Sequence, residues 1–312
     1  MSIKVSIIIP CFNEERHIKS CLESVRNQEF PRDRFEVIVV DNGSTDNSPR
    51  ISEKLSDKVI FAPHINVGAV RNIGATIAKG ELLAFIDADC LIDEHWIARA
   101  SDLLEKDKTS IFGGGCLLPI DANWLERNWL LEGSEGNTLP KELIGCSIAL
   151  SINTFKQLQG FDEHLKSGED TDLSNRARDL GIPVVICRGL NVVHLGNAKT
   201  IISFIKRQLW HSKSYEDLGR KVLKDPVFII TTTFTLLIIS STIKPFPFFI
   251  MAMACPAALS MKRTLRARPI HVFKRLPTIY LVDFIYISSR ATGLILSLAR
   301  ITKKEIFKNF IH

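Results

Sequence analysis

Two carboxylates separated by one residue follow a short apolar run, and their spacing suits metal or phosphate chemistry. Leu82–Ile86 has no helical period and predicts a buried strand, directly followed by Asp87 and Asp89. Side chains at i and i+2 point the same way along an extended chain, so both carboxylates can converge on one ligand. A hard divalent cation, completed by phosphate oxygens, fits such a pair, although a turn or a helix cap also explains it.

A second acidic pair, Glu169 and Asp170, precedes a helix predicted over 171–180. The N-terminus of a helix favours carboxylates, and this explanation suffices for the pair in isolation. The functional alternative is that a carboxylate here accepts a proton from a hydroxyl nucleophile. His194 likewise has two interpretations, as a packing residue or as a ligand.

These residues belong to a predicted α/β domain with a mainly parallel sheet. Strands are predicted over 5–9, 36–40, 59–61, 82–86 and 183–186, and helices over 14–28, 68–79, 93–106 and 171–180. In such sheets, ligands lie beyond the carboxyl ends of the strands. Three of these strands end in polar segments, at 11–15, 41–46 and 87–89, which predicts one site at that edge.

Charge is distributed unevenly along the 312 residues. Up to Ala198 there are 21 Lys and Arg against 29 Asp and Glu, whereas from Lys199 onward there are 19 against 5, giving the net charge of +6. A basic, apolar tail on an acidic domain argues against nucleic-acid binding and favours contact with anionic lipid. Seven scattered cysteines without a CxxC pair argue against a disulfide framework and for a reducing compartment, and we expect no signal peptide.

The tail predicts attachment to a membrane. Residues 199–224 predict a basic amphipathic helix at the interface, and 225–312 predict a membrane-associated helical region. Its uncharged stretches 227–243 and 246–261 predict a transmembrane hairpin, with a buried helical pair of a soluble protein as the alternative. The apolar stretch 276–299 carries Asp283 and Arg290, and we favour an interfacial helix over a third span. The basic cluster after 261 places the catalytic domain (1–198) on the cytoplasmic side of the inner membrane.

Trp124 and Trp129 lie in a predicted helical stretch after the glycine run 113–115. They are interpreted either as core anchors or as a wall of an acceptor groove.

Five segments together resemble family 2 glycosyltransferases of the GT-A type, in the order and spacing of that family. They are Pro10-Cys11-Phe12-Asn13-Glu14-Glu15, Asp41-Asn42-Gly43-Ser44-Thr45-Asp46, Asn66-x-Gly68-x-x-Arg71-Asn72-x-Gly74-Ala75, Asp87-Ala88-Asp89, and Gly160-Phe161-Asp162-Glu163 with Gly168-Glu169-Asp170-x-Asp172-Leu173. The resemblance covers roughly 3–196 and implies the GT-A fold of nucleotide-diphospho-sugar transferases, a mixed sheet between helices with one nucleotide-sugar site.

The resemblance also implies roles for individual residues. The nucleoside would be held by Pro10, Phe12 against the base, Asn13, Glu14, and Asp41 accepting from a base N–H. Arg71 would lie near the base or the diphosphate, Asp87 would meet the ribose, and Asp89 would bind a divalent cation, Mn²⁺ or Mg²⁺. Asp170, beside Glu169, would be the base of a direct displacement with inversion.

One departure from the family narrows the expected activity. Processive members carry a Gln-x-x-Arg-Trp element before their spans, whereas this chain reads Arg207-Gln208-Leu209-Trp210. We therefore expect transfer of a single sugar to a lipid-linked or cell-surface polysaccharide acceptor. The alternatives are a nucleotidyltransferase, which lacks support because no glycine- and basic-rich loop follows Ile9, and an inactive membrane scaffold with a transferase-like domain.

Overall fold

The chain divides into two compact units. The computed structural model describes residues 3–131, 139–212, 223, 225–267 and 270–310. The first unit comprises Met1–Ile120 and Leu139–Asn197, and the second comprises Asp121–Thr138 and Ala198–His312. Residues 121–138 thus group with the C-terminal part, whereas the catalytic domain predicted from the sequence, 1–198, includes them.

The first unit contains a seven-stranded mixed sheet and a three-stranded sheet. The strands are β1 (Val5–Cys11), β2 (Phe35–Asp41), β3 (Lys58–Phe61), β4 (Leu82–Ile86), β5 (Cys90–Leu91), β6 (Ile111–Gly113), β7 (Cys116–Leu117), β8 (Ser147–Ser151), β9 (Val184–Ile186) and β10 (Val192–His194). The large sheet has the order β3-β2-β1-β4-β8-β6-β9, with β8 antiparallel to β4 and β6. The small sheet has the order β5-β10-β7. The predicted mixed, mainly parallel sheet is confirmed.

Continuous apolar runs form the central strands because both faces of the large sheet are covered. On one face, Ile7, Ile9 and Val37 pack in a cluster with Leu22 and Trp96. On the other face, Ile8 and Phe85 pack in a second cluster with Phe155 and Phe161. Burial of both faces fixes the ends of β1, β2 and β4, where the polar segments begin.

The helices cover these faces, and those predicted from 14 and from 93 begin later than the sequence indicated. In the first unit they are α1 (Ile18–Arg26), α2 (Ser48–Leu55), α3 (Val67–Ile77), α4 (Trp96–Lys106), α6 (Ile152–Gln157) and α7 (Glu169–Asp179); α5 (Trp124–Trp129) belongs to the second unit. The helix predicted over 14–28 begins at Ile18, because the residues before it form turns bonded to the loop after β2. Helix α7 instead begins earlier than predicted, so Glu169 and Asp170 lie inside its first turn.

The second unit is helical. After α5 it contains α8 (Ile201–His211), α9 (Pro226–Ser241), α10 (Pro245–Ala267), α11 (Ile270–Phe273) and α12 (Leu276–Phe310). Trp129 packs edge-on against Phe204 and also against Tyr286, so it is a core anchor, whereas Trp124 is exposed. Part of the predicted interfacial helix, 213–222 and 224, lies outside the described residues.

Two helices of the described part are long and apolar enough to cross a membrane. They are Pro245–Ala267 and the Leu276–Arg300 part of α12, whereas α9 is a shorter apolar helix. Asp283 of α12 is buried, accepts a hydrogen bond from Ser260 at 2.7 Å and pairs with Arg263 of α10. Arg263 also donates to the Trp129 carbonyl, which ties α5 to these helices. The interfacial position of 276–299 stays a prediction.

Close packing of α3 on the large sheet generates a first prediction. A Cβ atom at Gly74 would lie 2.4 Å from Cγ2 of Ile8 and 3.2 Å from Cγ2 of Val40. Gly74→Val should therefore lower the free energy of unfolding by about 1–3 kcal/mol or more, the cost of overpacking a close-packed core. Denaturant unfolding of the full chain in detergent, followed by tryptophan fluorescence, measures this change.

The matched control is Thr76→Val, which places the same side chain at an exposed position of the same helix. Its expected effect is within about 0.5 kcal/mol. Equal effects of the two substitutions would contradict the described packing of α3.

Candidate active site

The polar segments after β1 and β2 are bonded to each other. The N–H of Asn13 donates to Oγ of Ser44 at 2.9 Å, and Oδ1 of Asn13 accepts from the N–H of Thr45 at 2.8 Å. Asn13 adopts φ 55°, a left-handed conformation that asparagine tolerates better than most residues. The N–H of Glu14 donates to Oγ of Ser48 at 2.8 Å. These bonds hold 11–15 against 41–48 at the carboxyl ends of two adjacent strands.

Asp41, the last residue of β2, has one occupied and one free carboxylate oxygen. Its Oδ1 accepts the backbone N–H groups of Gly43 and Ser44 at 3.0 and 2.9 Å. Its Oδ2 is buried and has no hydrogen-bond partner among the described residues. A buried carboxylate oxygen without a donor is costly, so it is a candidate acceptor for a ligand N–H. Phe12, in the loop joined to it, is 53% exposed and offers an aromatic face.

Arg71 of α3 joins the end of β4 to the start of α7. Its guanidinium donates to Oδ1 of Asp87 at 2.7 Å and to Oε1 of Glu169 at 2.5 Å, and its side chain is only 3% exposed. The guanidinium also lies 5.4 Å from the centroid of the Phe161 ring. Burial lowers the pKa of Arg71, but Asp87 and Glu169 raise it by more, so the guanidinium stays charged. Arg71 therefore positions two carboxylates from separate segments.

Asp170 lies beside this ion-pair network and is held by backbone donors. Its Oδ2 accepts the N–H of Gly145 at 2.9 Å, and its Oδ1 accepts the N–H of Thr171 at 2.7 Å. Burial, followed by the adjacent Glu169 carboxylate, raises the pKa of Asp170 to about 6, against the lowering by these N–H groups and by Arg71. Burial and the like charge thus outweigh the two bonded N–H groups and Arg71 in setting the pKa of Asp170. A carboxylate with a pKa near 6 is ionised at neutral pH and suited to accept a proton.

Gly145 is the glycine that this arrangement requires. A Cβ atom there would lie 2.5 Å from Nη2 of Arg71, inside contact distance. Residue 145 thus places its N–H on Asp170 while leaving room for the buried guanidinium. The sequence analysis did not identify Gly145, because no local pattern distinguishes it from an ordinary turn glycine.

Asp89 and His194 form a second group, brought together by the small sheet. His194 of β10 pairs with Cys90 of β5, the residue after Asp89, and Nε2 of His194 lies 3.5 Å from Oδ2 of Asp89. Nδ1 of His194 is buried and has no hydrogen-bond partner in the described part of the chain. Glu14 is close enough for Asp89 to raise its pKa and for His194 to lower it, although burial raises it most.

This pair fits a divalent cation. A carboxylate oxygen and an imidazole nitrogen are both common metal ligands, and ligand atoms about 2.1 Å from one ion lie roughly 3.0 Å apart at an octahedral angle and roughly 3.4 Å apart at a tetrahedral angle. The N–H of Leu195 donates to the Asp89 carbonyl at 2.8 Å, and a Cβ atom at Gly196 would lie 1.9 Å from Oδ2 of Asp89. The backbone after β10 is therefore packed directly against the Asp89 carboxylate.

The candidate residues from the sequence thus fall into two groups. Hydrogen bonds and ion pairs join Arg71, Asp87 and Glu169, with Asp170 alongside. The nucleoside candidates Pro10, Phe12, Asn13, Glu14 and Asp41 lie in or beside the loops after β1 and β2, which Glu14 connects electrostatically to Asp89. Arg71 is more enclosed than the resemblance implied, since its donors face carboxylates rather than open space.

Known proteins resemble this chain in sequence and fold. The model of glycosyl transferase family 2 matches residues 6–152. Glycosyltransferase AglE of Haloferax volcanii is 30% identical over 219 residues, 65% of this chain and 70% of AglE. Among solved structures, a mannosyltransferase from Pyrobaculum calidifontis in complex with GDP-Man and Mn²⁺ covers 95% of this chain and 88% of its own, with 18% identity and a TM-score of 0.62. Residues 1–349 of S. aureus TarS in complex with UDP-GlcNAc cover 94% and 90%, with 19% identity and a TM-score of 0.51.

The contact between Gly145 and Arg71 generates a second prediction. Gly145→Ala should push the guanidinium from its two carboxylates, and breaking such a buried ion pair costs about 3–5 kcal/mol of folding free energy. The free energy of unfolding of the full chain in detergent measures this loss. Gly189→Ala is the control, because its Cβ would meet only Cδ of the partly exposed Arg99, at 3.1 Å. If Gly145→Ala were as mild as the control, the guanidinium would not be confined as described.

Proposed function

Because the chain belongs to glycosyl transferase family 2, we propose that it transfers a single sugar from a nucleotide-sugar donor, with inversion, to a lipid-linked or cell-surface polysaccharide acceptor. Family membership establishes the coarser part, a glycosyltransferase. The proposal of inverting transfer is supported most directly by the position of Asp170. Two backbone N–H groups hold its carboxylate beside the network of Arg71, Asp87 and Glu169.

The base of the reaction is assigned to Asp170. A sugar hydroxyl is a poor nucleophile, so a carboxylate must take its proton as the bond to the anomeric carbon forms. The raised pKa of Asp170 brings it closer to neutrality than an ordinary aspartate while leaving it ionised. A single base opposite the leaving diphosphate gives one displacement and therefore inversion. Glu169 assists indirectly, since it holds Arg71 and raises the pKa of its neighbour.

The nucleotide is assigned to the loops after β1 and β2. Pro10, Phe12, Asn13 and Glu14 form one wall, with the exposed Phe12 ring against the base. The free Oδ2 of Asp41 accepts a ring N–H of the base, which relieves its missing hydrogen bond. Asp87, whose Oδ1 is bonded to Arg71, accepts from a ribose hydroxyl.

A divalent cation, Mn²⁺ or Mg²⁺, is assigned to Asp89 together with His194. The carboxylate and the imidazole present their ligand atoms 3.5 Å apart. A cation bound there would supply Lewis-acid stabilisation of the charge that develops on the leaving diphosphate. His194 thereby takes the ligand role that the sequence left open.

The second unit is assigned to membrane attachment, with the active site on the cytoplasmic side. Apolar side chains are exposed along α9 and α10 and in the turn between them, including Leu236, Ile239, Ile243, Phe246 and Phe249. A large exposed apolar surface is typical of a membrane or protein interface, and the basic residues after 198 favour anionic lipid. Attachment would bring the enzyme to a lipid-borne acceptor.

Release of nucleoside diphosphate from a panel of nucleotide sugars with Mn²⁺, measured with the full chain in lipid nanodiscs, tests the proposal. Asp170→Asn should lower the turnover rate by at least about 100-fold, the usual contribution of a general base, while nucleotide binding persists. The wild-type rate at saturating donor should fall as the pH is lowered through about 6, because the base becomes protonated.

Asp172→Asn is the matched control, since Asp172 lies in the same helix but pairs with Arg176 at 2.7 Å. It should retain turnover. A wild-type chain that binds nucleotide sugars and turns over none of them would instead support the inactive scaffold, and turnover by Asp170→Asn would remove this residue from the base role.

The carboxylate of Asp41, with one bonded and one unbonded oxygen, leads to a prediction about which nucleobase the protein prefers. In Asp41→Asn the amide oxygen should take the two backbone N–H groups, which leaves the amide NH₂ in the position of Oδ2. The NH₂ opposes the ring N–H of uracil or guanine but matches the acceptor N3 of cytosine. The affinity ratio of CDP to UDP, or to GDP if that binds, should rise by about tenfold or more, given about 1–3 kcal/mol per unpaired buried group. Calorimetric titration measures it, with Asp46→Asn in the same loop as the control, for which the ratio should be unchanged.

A further inference from the structure

We propose that Cys90 is a third ligand of the Asp89 and His194 site for thiophilic divalent cations, so that Zn²⁺ and Cd²⁺ bind there more tightly than Mn²⁺ or Mg²⁺ and compete with them. This inference deepens the proposed function, because it rests on a cation being bound at Asp89. It concerns thiophilic cations, whereas the resemblance implies Mn²⁺ or Mg²⁺ and the Pyrobaculum calidifontis structure contains Mn²⁺.

The register of the small sheet places the thiol in the site. Cys90 and His194 are directly opposite in the antiparallel pair of β5 and β10, so their side chains lie on the same face. Sγ of Cys90 lies 3.6 Å from Oδ1 of Asp89. One ligand atom each from Asp89, Cys90 and His194 lies within 4.8 Å of the other two.

These separations match a tetrahedral site. With bonds of about 2.1 Å to oxygen or nitrogen and 2.3 Å to sulfur, ligand atoms of one zinc ion lie roughly 3.4–3.6 Å apart. Nε2 of His194 lies 3.5 Å from Oδ2 of Asp89 and Sγ of Cys90 lies 3.6 Å from Oδ1, so each distance agrees with that range for a different oxygen of the same carboxylate. A rotation of the Asp89 carboxylate that brings one oxygen between the imidazole and the thiol would let the three residues surround one ion.

The chemistry of the donors sets the preference. Carboxylates suit Mg²⁺ and Mn²⁺, imidazole suits Zn²⁺, and a thiolate strongly favours soft cations. The Cys90 thiol donates to Oδ1 of Asp89, so it orients the carboxylate. When a thiophilic ion binds, the S–H bond breaks, the proton goes to solvent and sulfur bonds to the metal. Mg²⁺ gains nothing from this exchange, and a fourth position remains for a diphosphate oxygen or water.

Two more thiols lie behind Cys90 and supply the competing explanation. Sγ of Cys116 lies 3.2 Å from Sγ of Cys146, and Cys146 also interacts with Cys90. A soft cation could therefore bind among these thiols alone. The experiment must separate that outcome from binding at Asp89.

Cadmium titration of the full chain in detergent separates the two. Cd²⁺ should produce the ultraviolet charge-transfer absorption of a cadmium–thiolate bond, and excess Mn²⁺ should suppress it. Cys90→Ser should abolish the band and weaken Cd²⁺ binding by more than the about 10-fold typical of losing an outer partner of a metal ligand. Asp89→Asn should weaken Cd²⁺ binding as well. Cys187→Ser, which alters a half-buried thiol of the same unit, should retain the band.

Two outcomes of the cadmium titration overturn the inference. A band that survives in Cys90→Ser but is lost in Cys146→Ser places the ion among the other thiols, and a band insensitive to Mn²⁺ places it outside the cation site. Cys90→Ala provides a second variant if serine at this buried position unfolds the chain. The readout does not depend on sugar transfer: transfer without the band overturns only this inference, whereas the band without transfer counts only against the proposed function.

Discussion

The buried guanidinium of Arg71 is the constraint on which the first unit depends. A charge removed from water must be neutralised, and here the end of β4 and the start of α7 each supply one carboxylate. Residues about eighty apart in the sequence are thereby fixed within one ion-pair network. The backbone at Gly145 closes it, because only a residue without a side chain fits beside the guanidinium and still donates to Asp170. Breaking either pair would leave an unpaired buried charge, so the geometry of the site and the stability of the fold are coupled.

The electrostatics of the site also depend on this network. Glu169 neutralises Arg71, so less of the guanidinium's positive charge acts on Asp170, and its own negative charge raises the pKa of Asp170. The N–H groups of Gly145 and Thr171 limit the rise by bonding to the charged form. The same short segment therefore holds a structural ion pair and a carboxylate suited to accept a proton.

Much of this arrangement follows from the sequence, and the remainder has identifiable physical reasons for being hidden. The strands at 5–9, 36–40 and 82–86 were predictable because apolar runs buried on both faces have a clear pattern, and their polar tails marked the correct edge of the sheet. The role of Arg71 could not be predicted, because its partners Asp87 and Glu169 are remote in the sequence and charge alone does not show that a side chain is buried. The metal candidate His194 depends on its pairing with Cys90 across a two-residue strand, too short for any periodic signal. The prediction of a helix from residue 14 was wrong in its first turn, because the N–H groups there bond to side chains after β2 instead of forming helical hydrogen bonds.

The path of the chain between the two units limits how the protein can be divided. The polypeptide leaves the first unit after Ile120 and returns at Leu139, and the excursion between them includes α5. Leu125 and Trp129 of that helix are covered by Phe204 and Tyr286, which are translated much later. A shortened chain ending near 198, the obvious choice for a water-soluble enzyme, would expose these apolar side chains and invite aggregation. A shortened chain that keeps the first unit intact would therefore replace 121–138 with a polar linker and also lack the C-terminal helices.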